Sequence, residues 1–201
     1  MINTIQTLNH ALFLHINAAP GTPGWLIDAA IIVANDLIYG LPLLLVALWL
    51  VSSTARRGAA LLALAVAMLG LGANQVIGML WPQPRPFAIG LGYAWAAHAH
   101  DASFPSDHLT LFAGVGLGLL LGGRAFVGAA TIAAGLAVGW ARVFLGLHFP
   151  LDMAGSLVVA GASCAAIVPL WRRLGQALTR DSERLYRQAL ARPIAWGLLR
   201  P

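Results

Sequence analysis

From Ala59 to Leu80 the chain carries 22 consecutive residues without a charge, and no other feature restricts its fold so tightly. A helix needs about 20 apolar residues to cross the hydrocarbon core of a bilayer. There each unsatisfied backbone amide costs several kcal/mol, so only helices or closed barrels cross. Runs of similar character recur before and after this one. Over all 201 residues, 59% are hydrophobic and 9% charged, against roughly 25% charged in an average soluble domain. The sequence is that of an integral membrane protein. Its formal charge of +5 does not mark a nucleic-acid partner, because a phosphodiester surface needs a clustered basic face and most of the apolar runs hold no charge. All twelve Lys+Arg residues are arginine. Cys164, the single cysteine, lies inside an apolar run; it reads as a packing residue and allows no internal disulfide. Residues 1–24 lack the basic, apolar and small-residue succession of a removable signal peptide.

In chain order the reading is an all-α integral membrane protein, a bundle of about six transmembrane helices. A short amphipathic helix over 4–17, with Ile5, Leu8, Leu12, Phe13 and Ile16 at helical spacing, is expected to lie at the interface. Spans are expected at about 24–36, 38–53, 58–80, 107–123, 125–145 and 151–171. The first two come from dividing one apolar stretch at Asn35-Asp36, since an acid at the midpoint of a single span is expensive. Left undivided, the stretch gives a five-span bundle. Trp81-Pro-Gln-Pro-Arg-Pro-Phe87 halts the 58–80 helix with three prolines. Residues 1–171 make one membrane domain, and 172–201, with seven arginines among leucines, make a basic tail resting on an anionic membrane surface or simply solvated.

Arg56, Arg57, Arg124 and the seven tail arginines fall at one end of the alternating spans, leaving Arg85 and Arg142 at the other. By the bias of basic residues towards the cytoplasm, the ten-arginine end is cytoplasmic. The opposite end collects the chemistry. Isolated ionisable groups cost roughly 2.5–3.5 kcal/mol each at the bilayer centre, so Arg142, His148 and Asp152 together at span ends need a reason. If Asp152 lies in the first helical turns after Pro150, it sits about one turn from His148 and orients or supports the imidazole. Arg85 and Arg142 suit a phosphate, as permanent planar cations with paired donors. Ser106, at the start of a helix, adds a hydroxyl to a terminus whose free N–H groups favour anions. Two histidines fit the rest of phosphate-ester cleavage, one attacking phosphorus and one protonating the departing oxygen. The spacing of Asp152 favours His148 as the attacker and leaves His108 as the acid.

Taken in order, Arg85-Pro86, Pro105-Ser-Asp-His108 and Arg142-x5-His148-x3-Asp152 resemble the three signature motifs of the type 2 phosphatidic acid phosphatase superfamily. The likeness is strong over roughly 75–152 and matches by layout in the flanking spans. Arg85-Pro-Phe87 and Ser103-Phe-Pro-Ser-Asp-His108 resemble, within it, the bacterial undecaprenyl-diphosphate phosphatases. The resemblance implies a phosphohistidine on His148, acid catalysis by His108, phosphate binding by Arg85 and Arg142, and no required metal or other cofactor. It further implies a bacterial inner-membrane protein whose outward-facing site removes one phosphate from a polyprenyl diphosphate carrier, returning it to cell-wall synthesis. The catalytic set is then His148, His108 and Asp152, and the phosphate-binding set Arg85, Arg142, Ser106 and Asp107.

Three positions depart from that pattern. Gly78 stands where the family has a lysine, so another donor such as Gln83 substitutes or the charge balance differs. Asp107 stands where the second motif usually has glycine; it points away, pairs with an arginine, is protonated or, as preferred, caps the helix. Ala141 replaces the serine of the third motif. His98, His100 and Asp101 with His108 offer a competing set of zinc ligands, although solvent-facing histidines are the commoner case. The same residues would also serve a phosphatase for a different lipid phosphate, such as phosphatidylglycerophosphate or phosphatidate, or phosphotransfer to lipid A. Outside enzymes, charged groups at span ends suit a transport path for a lipid or ion.

Overall fold

The computed structural model describes residues 2–50 and 54–197. Among the described residues every regular element is helical, as the runs of apolar sequence require. Four helical segments are long and apolar enough to cross a membrane, and a shorter apolar helix lies among them. The protein is a multi-pass membrane protein.

The chain opens with helix α1 (Ile2–Ile16). Phe13 is buried against Val143 and Phe149, while Ile5, Leu8, Leu12 and Leu14 are exposed. Asn17 then fastens the helix end: its side-chain N–H groups donate to the carbonyls of Tyr93 and Phe144, both at 2.9 Å, and its Oδ1 accepts from the Tyr93 N–H at 2.7 Å.

The expected reversal at Asn35-Asp36 is corrected. Helix α2 (Gly24–Asn35) passes through a 3₁₀ turn (Leu37–Tyr39) into α3 (Gly40–Leu50). Asp36 and Gly40 both hold right-handed helical backbone angles, so nothing turns the chain back, and Gly24–Leu50 is one candidate span instead of the separate spans 24–36 and 38–53. Residues 51–53 lie outside the described chain. The run begins beside Ala141, Phe144 and Leu145, with which its Ile27, Ala30 and Ala34 share a core cluster. It finishes at the other end of the bundle, where the Trp49 carbonyl accepts from Arg57 Nε. The two polar residues therefore sit near one mouth: the neighbouring Ala34 carbonyl accepts from Arg142.

Helices α4 (Thr54–Leu80), α5 (Asp107–Leu121), α6 (Ala125–Phe144) and α7 (Pro150–Ala189) form the packed bundle. Small residues set its spacing, as in other lipid-embedded helix pairs. Gly114 and Gly118 of α5 face the backbone of Ala67 and Ala63 of α4, and Gly128 of α6 faces the backbone of α5 at Gly116 and Leu120. Cys164 is buried beside Leu62 and Val66.

Helix α7 departs from expectation at its far end. It runs for 40 residues with Pro169 inside it, so the part of the tail up to Ala189 is a helix docked on the bundle. Arg57, fully buried, reaches Glu183 Oε1 at 3.3 Å and lies over the rings of Tyr186 and Trp49. A short helix α8 (Ala191–Ala195) follows; the last tail arginine, Arg200, lies outside the described residues.

Candidate active site

Arg142 occupies the last turn of α6, and six residues later His148 leads into α7 through Phe149 and Pro150. Proline at the first helical position fixes where α7 starts. That start puts Asp152 in the first turn, where its Oδ2 accepts the Phe149 N–H at 2.8 Å and lies 3.1 Å from His148 Nδ1. The four-residue spacing thus delivers the carboxylate to the imidazole. Arg85 precedes Pro86 in extended conformation, as a pre-proline residue prefers. This aims its side chain back over the turn between α6 and α7: Nη1 donates to the Leu147 carbonyl at 2.9 Å and stands 3.1 Å from His148 Nε2. Arg142 Nη1 lies 3.2 Å from His108 Nε2, and its Nη2 lies 2.8 Å from His98 Nε2.

A guanidinium has only donors, so each imidazole nitrogen facing an arginine must accept. His148 therefore carries its proton on Nδ1, towards Asp152, and presents a lone pair on Nε2. Burial depresses its pKa to about 4, assisted by the charges of Arg85 and Arg142 and opposed by Asp152. His98 is likewise lowered, by burial and by Arg85. The Asp101 carboxyl is raised by its partial burial, but the charge and hydrogen bond of Arg85 outweigh this and hold it below the usual range.

Arg85, Arg142, His108 and His148 border one cavity of about 400 Å³, which Asn74, Gln75, Gly78, His98, Asp101 and Asp107 also line. Arg85, Arg142 and His148 are each at least 96% buried, so charge is gathered where water is scarce. Asp152 stands behind His148. Ser106 is brought to the helix start but not to the cavity wall: it is the N-cap residue of α5, and its buried Oγ has no hydrogen-bond partner among the described residues.

Two expectations are corrected here. Asp107 does not cap α5; its carboxylate accepts from Asn74 Nδ2 at 2.8 Å and Gln75 Nε2 at 3.0 Å, which ties α5 to α4 and leaves the acid on the cavity wall held by amides. Gln83 does not replace the missing lysine, since it lies outside this cavity and its carbonyl accepts the Ser103 N–H. Gly78 lines the cavity, and a Cβ there would come within 3.3 Å of the Ala102 Cβ. His98 and Asp101, candidate metal ligands by sequence, are engaged with the arginines: Asp101 Oδ1 accepts from Arg85 Nε at 2.9 Å. His100 packs edge-on against Phe87.

Sequence reasoning missed Ser103. It is fully buried, its hydroxyl donates to Asp152 Oδ2, and it lies 3.3 Å from His148 Nδ1. It opens the stretch Ser103-Phe-Pro-Ser-Asp-His108, but no periodicity gives its contact with Asp152, because the irregular loop that carries it is shaped by tertiary contacts.

The same residues stand within a wider likeness. The model of the PAP2 superfamily matches residues 58–176, which takes in α4 to the middle of α7 and every residue of the cavity. YbjG of Escherichia coli (strain K12), provisionally named an undecaprenyl-diphosphatase, is 38% identical over 197 residues, covering 98% of this chain and 99% of its own. The undecaprenyl-diphosphatase BcrC of Bacillus subtilis (strain 168) is 33% identical over 153 residues, covering 76% of this chain and 79% of its own. The crystal structure of Aquifex aeolicus LpxE superposes with a TM-score of 0.64 over 81% of this chain and 95% of that one, at 21% identity, a likeness of fold alone. With the family model covering more than half its length and a relative of 38% identity matching it almost end to end, the chain belongs to the PAP2 superfamily.

Proposed function

We propose that this protein is a lipid phosphatase that converts undecaprenyl diphosphate to undecaprenyl phosphate and inorganic phosphate through a phosphohistidine on His148. The observation that carries the reading is the pairing of His148 Nδ1 with Asp152 at 3.1 Å while Nε2 faces Arg85 across a cavity shared with Arg142 and His108. The names of the 38% and 33% identical relatives favour the substrate.

In the first step Nε2 attacks the terminal phosphorus. An N–P bond forms, the bridging P–O bond breaks with its electron pair going to the prenyl phosphate oxygen, and His108 supplies that oxygen's proton. Arg85 and Arg142 turn their donors from imidazole to the phosphoryl oxygens, where fixed charge stabilises the transition state. In the second step His108 takes a proton from water, whose oxygen attacks phosphorus and releases phosphate from Nε2. His148 keeps its Nδ1 proton throughout, donated to Asp152. No step calls for a metal or other cofactor.

The ten-arginine end of the bundle is assigned to the cytoplasm, so the cavity faces outward from the bacterial inner membrane. With Gly24–Leu50 as a single crossing and α5 counted as a span, five crossings put the N-terminus on the side of the cavity and the C-terminus opposite.

The test is phosphate release by the detergent-purified protein from undecaprenyl diphosphate, with phosphatidate and phosphatidylglycerophosphate in parallel. Prenyl diphosphate should be the preferred substrate, and His148→Ala should lose at least about 10³-fold in kcat. Brief reaction with substrate labelled in the terminal phosphate should leave acid-labile label on the wild type and none on the variant. Unchanged turnover in His148→Ala overturns the mechanism; preference for a glycerolipid overturns the substrate.

A further inference from the structure

Residues 101–103 reach both halves of the cavity. Asp101 Oδ1 and the Ala102 carbonyl accept from Arg85 at 2.9 Å and 3.3 Å. One residue on, Ser103 turns its hydroxyl towards Asp152 and His148. Its own N–H donates to the Gln83 carbonyl at 2.8 Å, which pins the backbone to the segment that carries Arg85. Asp152 Oδ2 thereby receives three donors: the Phe149 N–H, the His148 Nδ1–H and the Ser103 hydroxyl.

We infer that Ser103 is a positioning residue for the reaction, holding the carboxylate of Asp152 in the orientation that keeps the His148 proton on Nδ1 and Nε2 aimed at phosphorus. The inference rests on the reading of His148 as nucleophile. Ser103 transfers no proton and touches no substrate: it has no exposed surface and is absent from the cavity wall. Its effect comes from geometry. Once Arg85 has turned from the imidazole to a phosphoryl oxygen, a carboxylate held only by Phe149 and His148 rotates more easily, and when Oδ2 leaves the imidazole plane the tautomer with the proton on Nε2 becomes available, which cannot attack. The hydroxyl also couples the nucleophile to Arg85 through two peptide bonds, so that the attacking nitrogen and one phosphate-binding cation share a scaffold.

The experiment compares wild type, Ser103→Ala, Ser103→Thr and Ser103→Cys in the phosphate-release assay, with nitrogen NMR of histidine-labelled protein in detergent, the His148 signals being assigned from their loss in His148→Ala. Removing the hydroxyl should lower kcat roughly 10- to 100-fold while KM moves less than about threefold, as misplacement of a reacting group does. With inorganic phosphate bound to draw Arg85 from the ring, the NMR should show His148 wholly as the Nδ1–H form in wild type and as a mixture of tautomers in Ser103→Ala. Ser103→Thr should recover most of kcat, and Ser103→Cys, a weaker donor, should fall between. A folded Ser103→Ala with wild-type kcat or with the wild-type tautomer overturns the inference; should that variant not fold, full activity in Ser103→Cys overturns it equally. The underlying reading fails separately, through a wild type that releases no phosphate or a His148→Ala that still does.

Discussion

Arginine and histidine contend for the same few ångströms in this site, and the arginines decide the outcome. Arg85 beside His148 and Arg142 beside His98 disfavour an added proton on those two rings, and burial acts in the same direction. A nucleophilic imidazole has to be neutral, so in the proposed reaction this arrangement keeps His148 ready without a base to deprotonate it. With the pKa of His148 lowered to about 4, the ring is neutral above that value and gains its charge only as pH falls through it. Nitrogen NMR of the resting protein should therefore find His148 neutral at pH 5.5, where an ordinary histidine with a pKa of about 6.5 is mostly protonated. A signal titrating at 6.5 would refute this. Asp101 acts in the opposite sense, as a resident anion on Arg85 where a phosphoryl oxygen would bind. Its side chain is 60% exposed, and pairs of that kind are worth at most about 1 kcal/mol. Asp101→Asn should accordingly tighten competitive inhibition by inorganic phosphate about two- to fivefold; a weaker inhibition constant would mean that the carboxylate chiefly orients Arg85.

Helices meet here through glycine, and glycine shows where a side chain has no room. A Cβ on Gly118 would run into the backbone of Ala63, whereas one on Gly161 of α7 meets nothing within 4 Å. Overpacking costs about 1–3 kcal/mol, and glycine to alanine in an open helical position gains up to about 1 kcal/mol. Thermal unfolding in detergent should show Gly118→Ala melting below wild type and Gly161→Ala at or above it. The same helices show what was legible in the sequence. Apolar runs announced α4, α5, α6 and the first half of α7 because lipid leaves a backbone few choices, and the four-residue step from His148 to Asp152 announced their contact because helix geometry is local. Asn35-Asp36 misled because its cost depends on depth, and depth is set by packing: with the Ala34 carbonyl on Arg142, the pair lies near the mouth. The end of α7 misled because its arginines dominated its composition, although Gly175, Thr179, Glu183 and Tyr186 form a buried stripe at helical spacing that faces α4. The contacts of Ser103 with Asp152 and of Asp101 with Arg85 could not be read from periodicity at all, since a loop held by Gln83 and Arg85 repeats nothing.

At the scale of the whole molecule, the two ends of the bundle differ in charge and in chemistry, and the single crossing by Gly24–Leu50 links them. The N-terminal helix is fastened beside the cavity through Asn17 and Ala18, while Glu183 near the end of α7 is fastened to Arg57 at the far end of α4. These two attachments support the proposal above of an odd number of crossings, with the termini on opposite faces. The proposed sense comes from arginine content, because a basic end is held on the cytoplasmic side during insertion. Single cysteines at Ala19 and Gln188, both exposed, introduced into a Cys164→Ser background, test this in sphaeroplasts with a membrane-impermeant maleimide. Ala19→Cys should be labelled in intact sphaeroplasts and Gln188→Cys only after detergent. Labelling of Gln188→Cys alone in intact sphaeroplasts would invert the molecule and turn the cavity to the cytoplasm. Protection of both until lysis would restore an even number of crossings, which requires the chain to reverse within 24–50 and so breaks the path from cavity to far end that α2 and α3 trace.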